Sequence, residues 1–89
     1  MELAPYRIGY RRGWDRHFDK LDAETQRQIL KKIEQMKSPI VGRGLHSSEF
    51  RVEEVGGYRI VYALFEAERM KSIHFVGSHK QYEKWYSSL

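Results

Sequence analysis

Apolar and aromatic positions change their spacing along this chain, and each change marks an element. Tyr6 to Tyr10 (YRIGY), just after Pro5, has the aromatic and β-branched character of a short strand. Trp14, Phe18 and Leu21 then fall at i, i+4 and i+7, one face of a helix. Asp22 is a good N-cap, so it ends the first helix and starts a second from about Ala23 to Lys37. Ile29, Leu30, Ile33 and Met36 give that second helix a narrow apolar stripe among Gln, Lys, Arg and Glu. Ser38-Pro39 stops it, because the residue before proline avoids helical backbone angles. So short a joint predicts an antiparallel helical hairpin.

Residues 40–49 show no period and contain Gly42 and Gly44, which predicts a loop. Its Arg43 and His46 are either solvated or in reach of RNA. Three strands follow: about Phe50 to Val55, Tyr58 to Phe65, and Met70 to Val76. Gly56-Gly57 makes the first hairpin turn and Glu66 to Arg69 the second connection. His79 to Ser88 reads as a short terminal helix. The order is β-α-α-β-β-β-(α). The fold class is therefore α+β, with the helical hairpin on one face of a small antiparallel sheet and the other face open.

Register decides which residues reach that open face. A two-residue Gly56-Gly57 loop pairs Val55 with Tyr58 and places Phe50 and Val52 beside Arg59. A three-residue loop with a bulge pairs Glu54 with Tyr58 and Glu53 with Arg59. The second places Phe50, Val52, Ile60, Tyr62 and Leu64 against the helices and gathers Arg51, Glu53 and Arg59 on the open face. A one-residue slip exchanges the faces, so burial selects the register. With one face open, the bulged turn is the expected one.

The chain has 89 residues, room for one small domain spanning 1–89. It is 40% apolar and 31% charged, as an ordinary soluble domain is. No cysteine is present, which removes disulfides, thiolate zinc sites and thiol nucleophiles. The four histidines lack metal-ligand spacing, so no metal or other cofactor is expected. No signal-peptide pattern and no membrane-length apolar run occur, so a cytoplasmic location and no membrane partner are expected. The net charge of +4 favours a polyanionic partner, nucleic acid first, although an acidic protein also fits.

The segment GGYRIVYALFEAERMKSIHFVGSHKQYEKW resembles the C-terminal half of the RelE/ParE toxin superfamily. The G-x-Y-R-hydrophobic-hydrophobic-Y core is similar to RelE-type toxins. The VGSHKQYEKW ending looks more like the T-H-x-E-Y-D ending of HigB-type relatives, with Ser78, Gln81 and Glu83 in place of Thr, Glu and Asp. The resemblance implies a type II toxin that pairs with a cognate antitoxin and cuts mRNA, usually on the ribosome, without a metal. In the same terms Arg59 matches the arginine that contacts the scissile phosphate. Arg51 lies near a strand cation of RelE-type toxins, with a one-residue offset open. His79 falls where a catalytic His or Arg stands, and Tyr82 matches the tyrosine of the HigB-type ending. Glu53 stands near a position that is lysine in RelE, and Tyr86 is an alternative to Tyr82.

RNA supplies its own nucleophile, the 2′-hydroxyl. Cleavage then needs a base, an acid and cations for the transition state. Imidazole is the side chain that titrates nearest neutral pH, which suits His79. Arg59 grips phosphate oxygens in a fork, with Arg51 beside it. Tyr82 stacks on a base or orients His79. Glu53 is a base or holds Arg59 in place. Lys80 and Lys84 are expected phosphate contacts. Two other functions fit the same residues. One is a ParE-like toxin that inhibits DNA gyrase without nuclease chemistry. The other is a non-enzymatic RNA-binding domain.

Overall fold

A computed structural model describes residues 4–39, 42–44 and 50–88. The strands are β1 (Arg7–Tyr10), β2 (Arg43–Gly44), β3 (Phe50–Val55), β4 (Tyr58–Phe65) and β5 (Met70–Ser78). The helices are α1 (Trp14–Phe18), α2 (Ala23–Gln35) and α3 (His79–Ser87). They form one five-stranded sheet in the order β1-β5-β4-β3-β2. The mixed α+β class and the β3-β4-β5 meander match the expectation. Two features extend it. β1 joins the edge parallel to β5, and two residues of the expected loop, Arg43 and Gly44, pair with Val52 and Arg51 as a further edge strand. His46 lies outside the described residues. Among those described, no helix is long and apolar enough to cross a membrane.

Local chemistry accounts for the helix boundaries. The Asp22 side chain accepts a hydrogen bond from Thr25 N–H at 3.1 Å and so caps α2. That bond holds the Asp22 carboxyl below its ordinary value. Ser78 caps α3 in a reciprocal capping box with Gln81. At the other end of α2, Lys71 of β5 is fully buried, and its Nζ donates to the Met36 carbonyl at 2.7 Å and the Ser38 carbonyl at 3.2 Å. A cation suits a helix C-terminus. Its burial nevertheless pushes the Lys71 pKa down.

The β3-β4 register corrects the bulged turn expected from sequence. Val55 pairs with Tyr58, Glu54 with Arg59 and Glu53 with Ile60, so Gly56-Gly57 is a two-residue loop with positive φ at Gly56. The reason is that the second face is not open. α3 folds back over β4 and β5, where Tyr82 joins Val52, Val61 and Phe75 in a small second core flanked by Phe50 and Trp85. Val52 is thus buried, and Phe50 half-buried, under α3 and not under α2. The main core lies on the α2 face, where Ile29, Ile33 and Met36 meet Ile60, Tyr62 and Ile73. β5 bulges between its pairings to Val61 and Tyr62, which leaves His74 as the extra residue. His74 and Phe75 consequently both meet the α3-side aromatics, His74 at Phe50 and Phe75 at Tyr82.

Candidate functional site

The register separates residues that the sequence reading had grouped. Arg51 pairs with Tyr62 and Glu53 with Ile60, both on the α2 face. Glu53 there lies 3.6 Å from Lys32 of α2. Arg59 points the other way, toward α3. The expected cluster of Arg51, Glu53 and Arg59 on one open face is therefore not formed. The one-residue difference in turn length inverts the face of every residue on β3 relative to β4.

Arg59 is held on two sides. Its guanidinium carbon sits 4.7 Å above the centre of the Tyr82 ring, a cation–π geometry. A terminal nitrogen lies 3.5 Å from a carboxylate oxygen of Glu54, its cross-strand partner. The arginine side chain retains 18% of its exposure, whereas that of Glu54 retains 50%. The guanidinium is thus oriented by a buried ring on one side and a half-exposed carboxylate on the other. Glu54 was not singled out from the sequence. Its signal was the two-residue turn, which sets it opposite Arg59.

α3 adds an imidazole. Gly77, the cross-strand partner of Arg59, stands two residues before His79. His79 is the first residue of α3, and its backbone N–H donates to the Gly57 carbonyl at 3.3 Å. Its imidazole is largely exposed, with Nε2 2.8 Å from Glu83 Oε1. When Nε2–H is donated in the neutral ring, the lone pair resides on Nδ1. His79, Tyr82, Glu83 and Tyr86 fall at i, i+3, i+4 and i+7, one stripe of the helix. Tyr86 stacks on Tyr82 at 5.9 Å and is 39% exposed. Tyr82 itself is buried, so a base stacks on Tyr86 more readily than on Tyr82.

The remaining expected contacts lie elsewhere on α3. Lys80 and Lys84 are exposed on the flank that faces Lys20 of the α1-α2 joint. The site that the structure assembles is Arg59, Glu54, Tyr82, His79, Glu83 and Tyr86. It offers a fixed guanidinium, an accessible imidazole with a carboxylate partner, and one exposed aromatic face. A guanidinium can grip a phosphodiester and an imidazole can move a proton, so the set has the chemistry for both.

No protein-family model matches the chain, and no curated protein matches it. Solved structures do. The RelBE2 toxin–antitoxin complex of Mycobacterium tuberculosis contains a chain with 19% identity and a TM-score of 0.75, covering 84% of this chain and 99% of its own. The isolated RelE toxin of E. coli has 20% identity and a TM-score of 0.66, covering 94% and 99%. The archaeal RelE-RelB complex of Pyrococcus horikoshii gives 14% identity and a TM-score of 0.65, covering 83% and 94%. The chain has the fold of the RelE toxins.

Proposed function

We propose that this RelE-fold chain is the toxin of a type II toxin–antitoxin system and that it cleaves mRNA, on the ribosome, without a metal. The observation that carries the reading is Arg59, fixed between the Tyr82 ring and Glu54 beside the helix that begins with His79. The partners are mRNA and ribosome for action and a cognate antitoxin for control, in a cytoplasmic setting. The solved complexes in which RelE-fold chains sit with RelB are the ground for the antitoxin.

The chemistry follows from the geometry. The 2′-oxygen attacks phosphorus and the bond to the 5′-oxygen breaks, leaving a 2′,3′-cyclic phosphate and a 5′-hydroxyl. One proton leaves the 2′-hydroxyl and one reaches the 5′-oxygen. His79 carries one of these transfers and solvent water the other, and Glu83 sets the direction of the His79 ring. Arg59 exchanges Glu54 for the scissile phosphate and stabilises the charge that grows on its oxygens. Tyr82 acts through Arg59 by holding its plane, and Tyr86 offers a face to a neighbouring base. Arg51 and Glu53 stand on the opposite face of the sheet and have no part in this reaction.

The test is a translation extract programmed with one end-labelled message. The wild-type protein is expected to produce discrete cuts. Arg59→Gln is expected to slow them by about 10²-fold or more, the loss typical of one transition-state donor. Undiminished cutting by a folded Arg59→Gln protein would refute the assignment.

A further inference from the structure

Positive charge is concentrated away from Arg59. Residues 7–20 carry five cations against Asp15 and Asp19, so three of the chain's net four positive charges sit on this stretch. α1 lies along β5, and its seam with α3 is a run of three adjoining hollows. The first, of about 480 Å³, has Arg11, Arg12, Arg16 and His17 on one side and Phe50, His74 and Trp85 on the other. The second shares His17 and Trp85 and adds Lys20 and Lys84. The third shares Lys20 and Lys84 and reaches Lys80.

Three observations set this seam apart. Among the described residues, the one carboxylate lining it is Asp22, whose side chain is already engaged by Thr25 N–H. Arg27, Lys37 and Lys32 pair with the carboxylates of Glu24, Glu34 and Glu53. Arg11, Arg12 and Arg16 have no such ion pair among the described residues. Burial pushes the His17 imidazole below its ordinary value, and the neighbouring Lys20 and Arg16 charges add to that shift. Finally, the hollow has a rigid aromatic wall. Trp85 stacks on Phe75 at 5.2 Å and meets the edge of Phe50 at 5.7 Å, and Phe50 in turn meets His74 at 4.9 Å.

We propose that the α1-α3 seam is a second binding site, for a single strand of RNA, on the flank of α3 opposite Arg59. The cations track successive phosphates while the half-buried Trp85 takes a base against its ring. An acidic peptide would satisfy the charge but leave the aromatic wall unused. The inference rests on RNA being the target, and it assigns the seam to affinity, not to bond cleavage.

A short labelled oligouridine with 2′-O-methyl groups, which lacks the attacking hydroxyl, tests it by fluorescence anisotropy across a range of salt. Arg11→Gln/Arg12→Gln/Arg16→Gln is expected to bind roughly tenfold more weakly near 0.1 M salt. Its slope of log affinity against log salt is expected to fall by about 2, since each single-strand phosphate contact contributes about 0.7. Arg59→Gln should change that slope by much less. In a Trp14→Phe protein excited at the red edge of the indole band, where tyrosine does not absorb, Trp85 is the emitter, and saturation with the oligonucleotide is expected to quench it. Wild-type affinity and slope in the triple variant, with its melting temperature unchanged, would overturn the seam. An unquenched Trp85 would overturn the base position, and equal displacement by poly-glutamate would overturn the choice of RNA. A protein that binds through the seam yet makes no cuts would leave this inference standing and remove the nuclease reading instead.

Discussion

Arg59, the side chain proposed to grip phosphate, is oriented by its own neighbours. Its guanidinium lies over the Tyr82 ring, and Glu54 stands 3.5 Å from one terminal nitrogen. A single charge contact at the rim of the protein contributes roughly 0–1 kcal/mol, so on the proposed reading a phosphate gripped through two nitrogens outcompetes it. Glu54→Gln is therefore expected to tighten binding of a non-cleavable RNA by roughly two- to fivefold, the range that such a pair allows. Weaker binding, measured by the same anisotropy titration, would mean that Glu54 orients Arg59 more than it competes for it. Glu83→Gln should slow cleavage less than His79→Ala does, because it removes only the group that turns the imidazole. On the other face, Tyr62 is fully buried and accepts from Gly42 N–H at 2.8 Å. Burial pushes its pKa up from 10.0 to about 12. Between those values the unfolded chain has lost the phenolic proton and the folded chain has kept it. The unfolded state then binds fewer protons, so stability falls as pH rises, by up to about 1.4 kcal/mol per unit. Lys71, with its lowered pKa, acts in the opposite sense and only below 10.5. Urea denaturation between pH 10 and 12 should show the decline. Tyr62→Phe, less stable throughout, should flatten it.

α3 converts a bare sheet face into a site, and its start is tightly built. A Cβ at Gly77 would meet the Phe75 ring at 2.7 Å and the Gln81 side-chain oxygen at 2.9 Å. Gly77→Ala is thus expected to destabilise the protein by about 1–3 kcal/mol through overpacking and to loosen the capping box. A thermal melt unchanged from wild type would contradict that. Tyr82→Phe keeps the ring under Arg59 and should retain most of the cleavage, whereas Tyr82→Ala opens the second core and should cost about 3 kcal/mol or more of stability. The helices and the three long strands were legible because their signals are local. Asp22, Ser38-Pro39 and Gly56-Gly57 punctuate apolar runs of clear period. β2 was not legible, since two residues have no period. The register was not legible for a different reason. Both registers satisfy the alternation of β3, and the choice turns on whether a distant helix covers Phe50 and Val52. That helix had been recognised, but its docking depends on Tyr82 and Trp85 meeting Phe75 across the sheet, which no spacing along the chain encodes.

At the scale of the whole molecule, the proposed functions divide between the two flanks of α3. One flank carries Arg59 and the His79–Glu83 pair. The other carries the cationic seam with α1. Arg59, His79 and Tyr82 were legible because they lie on one motif-bearing stretch, the β4-β5 hairpin and the helix that follows. Arg51 and Glu53 were misplaced because their face depends on the register. The seam escaped notice because it joins Arg11 and Arg16 to Lys84 and Trp85, far apart in sequence.

The most direct measurement is inducible expression in bacteria of the intact protein and of His79→Ala, followed by primer-extension mapping of a translated message. Growth arrest with new cuts inside codons, both lost in a folded and equally abundant His79→Ala protein, is the predicted result. Growth arrest without cuts, or cuts that persist undiminished in the variant, would contradict a ribonuclease site built on Arg59 and His79.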